Sequence, residues 1–282
     1  MGVAFGLASA VLWGTADFFA RLASERVGSR STIFYMQCIG ALSMGLTLLL
    51  PANLPPWPSD RVLGIAVVLG LFNVAGGAML YRALEVGTVS LVSPISSTFA
   101  AIAAGLAIGI AGERPAPLQL LGLGLCVLGV VGASIPPRGP ATARGRRGLL
   151  LAGGAAVCWG ISFFALRYVV GDLGSFFPVF VSRVTSIVAL GSLAVAQRQR
   201  LPLPGGAWGW IVGVAVFDSG AFIFYNLGVA THLTSVVSIL SSLFSAVTVI
   251  LAFIFLRERL GRFQWASVAV IFCGVALVSS GR

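Results

Sequence analysis

Ten apolar runs, each long enough to cross a bilayer and separated by breaks too short to hold a soluble domain, limit this chain more than any other feature. They fall near residues 2–23, 30–50, 61–83, 88–111, 117–135, 148–170, 174–196, 206–229, 233–256 and 262–280. At about 1.5 Å of rise per residue, a run of this length spans a hydrocarbon core of roughly 30 Å as a helix. Pro, Gly and Arg mark the breaks, as in "PANLPPWPSD" (51–60), "GERPAP" (112–117), "PPRGPATARGRRG" (136–148) and "RQRLPLPGG" (198–206). The runs are too long and too uniformly apolar for barrel strands, so helices are expected throughout. Only 9% of residues are charged and mean hydropathy is +1.01, against the quarter or so of charged residues in a soluble domain. The expected product is an all-α, multi-pass membrane protein of the cell's inner (plasma) membrane.

All 18 basic residues are Arg, and they account for the net charge of +10. Most lie in the short connections rather than in a patch interleaved with aromatics, so they speak of membrane topology and against nucleic acid. The cysteines Cys38, Cys126, Cys158 and Cys273 sit singly in apolar runs, and His232 is the one histidine, at a loop where solvation explains it. Neither a disulfide framework, a metal site nor a cofactor is indicated. Walker A, H-E-x-x-H and G-x-S-x-G patterns are all missing, which argues against an enzyme. The first run lacks the basic n-region of a signal peptide and is expected to stay as a span.

The two halves repeat. At a shift of 146, Gly2, Trp13, Gly14, Phe18, Arg21 and Gly28 fall on Gly148, Trp159, Gly160, Phe164, Arg167 and Gly174. At a shift of 145, "VSPISSTFAAIAAGLAIGIAGER" (92–114) overlies "VSILSSLFSAVTVILAFIFLRER" (237–259), and Gly129 falls on Gly274. Five spans per copy force the copies into opposite orientations, the inverted arrangement used for alternating access. The expected division is 1–137 for the first repeat, 138–147 for an Arg-rich connector and 148–282 for the second.

The paired W-G of the first and sixth spans, the G-E-R and R-E-R that close the fourth and ninth, and the Gly-containing fifth and tenth spans resemble the EamA family of the drug/metabolite transporter superfamily. YddG-type amino-acid exporters are the nearest well-described relatives by this resemblance. It implies ten helices in two inverted halves around a cavity lined mainly by helices 1–4 and 6–9. It also implies export of small metabolites by a protein that works as a monomer.

Ionisable residues at membrane depth are functional candidates because burying them is costly. Arg183 and Asp218 lie mid-span in neighbouring helices, where they can form an ion pair; their repeat mates are the neutral Gln37 and Asn73. The pair either locks two helices together or handles a zwitterionic substrate or a proton. Asp17 has two readings as well: neutralised by Arg21 one turn along the same face, or directed into the cavity. Phe163 occupies its repeat position.

Trp13, Trp159, Tyr81 and Tyr225 are candidates for the cavity lining, with packing against a neighbouring helix as the alternative. Trp57, Trp208, Trp210 and Trp265, near span ends, suit membrane-interface anchors. Ser93, Ser96 and Ser97 recur as Ser238, Ser241 and Ser242. Small residues of this kind, with the G-x-x-x-G of Gly105 and Gly109, favour close helix packing. Ser93, Ser97, Ser238 and Ser242 are also candidates for contact with substrate. Pro94 leaves the Ser90 carbonyl unbonded and is the expected hinge. Glu113 and Glu258, each beside Arg at a span end, suit interface or helix-end contacts.

Thirteen of the arginines (Arg21, Arg26, Arg30, Arg82, Arg138, Arg144, Arg146, Arg147, Arg198, Arg200, Arg257, Arg259 and Arg262) fall to one side of the predicted topology. Arg61, Arg114, Arg167 and Arg282 fall to the other. The positive-inside rule then puts both termini away from the cytoplasm, whereas the resemblance implies both inside. The expected function is secondary-active export of small metabolites, amino acids first among them, with protons as the candidate coupling ion. A passive channel for nucleosides, sugars or amphiphilic drugs is the alternative.

Overall fold

In the computed structural model, residues 2–50, 57–86, 92, 95–133, 143–231, 233–256 and 262–280 are described, and among them every regular element is helical. The helices are α1 (Gly2–Val27), α2 (Ser29–Leu48), α3 (Asp60–Val86), α4 (Phe99–Gly109), α5 (Pro117–Ala133) and α6 (Ala143–Ala165). They continue with α7 (Arg167–Leu173), α8 (Phe177–Ala196), α9 (Trp208–Thr231), α10 (Thr234–Ser241), α11 (Phe244–Leu256) and α12 (Arg262–Ser280). Among the described residues six are long and apolar enough to cross a membrane: α1, α2, α3, α6, α8 and α9. Shorter apolar helices fall in the fourth, fifth, ninth and tenth runs.

The turns repeat with the sequence. Gly28 before α2 has a φ of 79° and its mate Gly174 before α8 a φ of 66°. Glycine adopts this left-handed backbone without a Cβ clash. Helix packing repeats too. α1 packs on α9 as α6 packs on α3; α2 meets α8, α4 meets α10 and α5 meets α12, so exchanging the halves leaves the pattern unchanged.

Two runs break in mid-course at matching positions. In the ninth, α10 stops at Ser241 and α11 begins at Phe244; in the fourth, α4 begins after a turn at Thr98. At each break a hydroxyl bonds the main-chain carbonyl three residues back. Thr98 Oγ1 donates to the Ile95 oxygen at 2.6 Å and Ser242 Oγ to the Ile239 oxygen at 2.7 Å. The Thr98 and Ser242 amides reach the same two oxygens, both at 3.2 Å. These are the tighter bonds of a 3₁₀ turn. Pro94 and Ser93 lie outside the described residues. The break in the ninth run has no proline.

The exterior is apolar, with Leu42, Leu46, Leu128, Val188 and Phe272 exposed, while buried Ser and Thr bond between helices. Ser9 donates to the Ala221 oxygen, tying α1 to α9, and Ser162 to the Leu69 oxygen, tying α6 to α3. Gly14 and Gly160 permit close helix approaches. A Cβ on Gly14 would lie 2.5 Å from Val247 Cβ, and one on Gly160 would lie 2.6 Å from Ile102 Cβ. The expectation for Gly105 and Gly109 is corrected, because a Cβ at either would meet nothing within 4 Å. Trp57, Trp208 and Trp265 are exposed, whereas Trp210 packs on Phe19 and beneath Arg26.

Candidate transport site

A cavity with about 590 Å³ of empty space, counting its mouth, lies among α1, α2, α3, α4, α6, α8, α9 and α11. Trp13 and Asp17 of α1 line it, with Ile33, Met36 and Gln37 of α2, and Asn73 and Tyr81 of α3. Trp159 and Phe163 of α6, Arg183 of α8, Asp218 and Phe222 of α9, and Phe99 and Phe244 complete the wall.

The predicted charge pair forms there. Arg183, 2% exposed, donates through Nη2 to Asp218 Oδ2 and through Nη1 to Gln37 Oε1 at 2.7 Å. Gln37 is its own repeat mate, so one half's charge is bonded by the other half's neutral equivalent. The guanidinium also lies over the Phe222 ring, 5.3 Å from its centroid, a cation–π contact. Gly40 makes room for it, since a Cβ there would lie 3.0 Å from Arg183 Nε. The second pair of mates behaves alike: Trp13 Nε1 donates to Asp218 Oδ1 and Trp159 Nε1 to the Asn73 main-chain oxygen, both at 3.1 Å.

Asp17 corrects one expectation. Arg21 does not bond it; Arg21 Nε pairs instead with Glu25 Oε1 at 3.4 Å, one turn further on. Among the described residues Asp17 has neither a hydrogen bond nor an ion pair, and its carboxyl lines the cavity. Tyr225 is corrected as well. It is fully buried away from the cavity, donating to or accepting from Ser238 Oγ at 2.7 Å and lying 3.2 Å from the Phe163 oxygen. Ser97, Ser238 and Ser242 are buried in helix contacts and do not line the cavity, whereas Tyr81 does.

Several residues of the site escaped sequence reasoning. Phe99 and Phe244, repeat mates that follow the two helix breaks, stack at 6.2 Å and 23°. Phe163 lies against Phe99 at 4.8 Å and Phe222 at 5.3 Å, and Trp13 stands edge-on to both Phe163 and Phe222. The register of "SSTF" (96–99) on "SSLF" (241–244) carried the signal for the stacked pair.

At one end the cavity continues past Ile33 and Tyr81 into an outer space lined by Arg30, Arg82 and Arg147, the basic end of the molecule. Toward the opposite end, Asn73 and Phe222 also line a second, smaller space with Leu166, Pro178 and Asn226. Glu113, expected as an interface or helix-end contact, is 8% exposed and joins α10 to Arg167 there. Its Oε1 accepts from Arg167 Nη1 at 2.5 Å and from the Thr234 amide at 2.9 Å; its Oε2 accepts from the Ser235 amide at 3.0 Å and hydroxyl at 2.7 Å. A carboxylate at the start of α10 also meets the positive end of that helix's dipole. Burial by itself would raise the Glu113 pKa, but the Ser235 and Thr234 hydrogen bonds and the Arg167 charge outweigh it and hold the group below the ordinary value. Its mate Glu258, like His232, lies outside the described residues.

This arrangement positions a polar, partly charged cavity inside an apolar exterior. The chain belongs to the EamA-like transporter family, whose model matches residues 1–135 and again residues 146–280. It is therefore a multi-pass membrane protein of a family that transports small solutes, not a family of enzymes. An uncharacterized protein of Methanocaldococcus jannaschii is 29% identical over 133 residues, 47% of this chain and 96% of that protein. A solved crystal structure aligns with 99% of this chain and 96% of its own at a TM-score of 0.77 and 17% identity, which places the fold.

Proposed function

We propose that the protein is a secondary-active exporter of small metabolites, amino acids foremost, working by alternating access of two inverted five-helix halves. The halves are residues 1–137 and 148–282, joined by the connector 138–147, and together make ten spans. The observation that carries this reading is the cavity around Arg183 and Asp218, lined by matching helices of both halves. A carrier of two related halves is expected to expose such a site to one side at a time, whereas a passive channel needs a continuous path.

By the positive-inside rule the basic end faces the cytoplasm, so both termini lie outside. The plasma membrane is the proposed location, protons the proposed coupling ion and the monomer the working unit. Purified protein in liposomes, tested with radiolabelled amino acids and other metabolites with and without a pH gradient, is the direct test. Saturable counterflow is expected. Linear, non-saturating flux would overturn the carrier in favour of a channel.

A further inference from the structure

We infer that the cavity selects a protonated amine on an aromatic or apolar body, held by Asp17, and that a substrate carboxylate weakens binding there. This rests on the transporter reading above and deepens it by naming the group recognised, which moves simple amines ahead of amino acids within the small-metabolite class.

Among the described residues three charged side chains line the cavity: Asp17, Arg183 and Asp218. Arg183 and Asp218 neutralise each other, and both terminal nitrogens of Arg183 are engaged, by Asp218 and by Gln37. The remaining Arg183 nitrogen, Nε, is buried without a hydrogen-bond partner among the described residues where α2 passes at Gly40, and one face of the guanidinium is covered by Phe222. A substrate carboxylate at Arg183 would share that one cation with Asp218 and add a third anion to Asp17 and Asp218. With all three ionised, the cavity holds one acid in excess.

That excess acid is Asp17. Arg21, one turn away, is turned to Glu25, and the charged neighbour that acts on Asp17 is another carboxylate, Asp218. A carboxylate in this setting is stabilised by a cation brought by the ligand. The rest of the wall suits the body of such a ligand. Trp13, Trp159 and Phe163 offer aromatic surface beside Asp17, and Ile33, Met36 and Leu80 offer aliphatic surface. Arg30, Arg82 and Arg147 at the mouth repel an approaching cation, so salt is expected to speed amine association by screening them.

The test uses purified full-length protein in nanodiscs, with the fluorescence of cavity tryptophans reporting binding of phenethylamine and of L-phenylalanine, which share a side chain and differ in the carboxylate. Phenethylamine is expected to bind saturably and at least tenfold more tightly than L-phenylalanine. Asp17→Asn is expected to weaken amine binding at least tenfold, and Asp17→Glu to restore most of it. Equal or tighter binding of L-phenylalanine, no saturable amine signal, or an Asp17→Asn variant of normal melting temperature and unchanged amine affinity would each overturn the inference. Should Asp17→Asn not accumulate, the two-ligand comparison decides alone. Amino-acid counterflow without amine binding removes the amine site and leaves the carrier; amine binding without counterflow of any solute leaves the site and removes the carrier.

Discussion

Trp13 donates its indole N–H to Asp218, whose other oxygen is held by Arg183, so a single carboxylate joins α1, α8 and α9 at the cavity wall. The bond crosses 205 positions of sequence and has a near-copy in Trp159 and Asn73, where a main-chain oxygen stands in for the acid. The charge is an addition of the second half to a contact both halves make.

Removing that charge leaves Arg183 buried without compensation. Asp218→Asn keeps an oxygen for Trp13 but loses the ion pair, and a destabilisation of about 3 kcal/mol is expected, at the low end for broken buried pairs because Asp218 is partly exposed. Thermal unfolding in detergent measures it. Pairing the change with Arg183→Gln should recover part of the loss, whereas additive losses would argue against the coupling.

The Glu113 latch carries a pH dependence with a definite sign. A carboxyl held below its ordinary pKa stabilises the folded contact above the ordinary value and releases it as pH falls through its own, lower, value. Amide hydrogen exchange at Thr234 and Ser235, corrected for the intrinsic pH effect, should stay slow at neutral pH and rise only under acid conditions below the usual glutamate range. Glu113→Gln should exchange fast at every pH; equal protection in the variant would remove the latch.

Glycine packing separates two kinds of position. Gly14→Ala and Gly160→Ala bring a Cβ into overlap with a neighbouring side chain. Each is expected to cost about 1–3 kcal/mol despite the helix propensity alanine gains. Gly105→Ala, facing open space, should be neutral or stabilising. Melting temperatures of the three variants in one detergent give the comparison.

Phe99 and Phe244 line the cavity from both halves. Phe99→Ala or Phe244→Ala removes one ring of the stack and leaves a void in its place. An uncoupled leak of solute through liposomes is expected to rise several-fold. Unchanged leak with intact folding would move the barrier to the Glu113 end.

Sequence legibility followed the physics of each feature. Apolar runs, the W-G repeat and the rarity of mid-span charges were all readable, since each is fixed by hydration cost or by register. The Arg183–Asp218 pair was foreseen because two opposite charges at one depth have few other partners. The partners of Glu113 were not legible, because Arg167, Thr234 and Ser235 lie 54, 121 and 122 positions away, and nothing local tells a buried helix-end carboxylate from a solvated one. Tyr225, Ser97, Ser238 and Ser242 were readable as cavity or as packing residues for the same reason: helix periodicity gives a face, and only packing decides what that face meets.

By itself, the sequence determined a helical membrane protein built from two related halves, because backbone groups in hydrocarbon must be satisfied within each span and the same motif recurs in register. The tertiary structure decided which way each polar side chain was spent. Arg21 has a choice of two acids one turn away on either side, Asp17 and Glu25, and the fold gives it Glu25, leaving Asp17 in the cavity. No spacing in one helix could settle that choice, since it depends on what the neighbouring helices place around the same cavity.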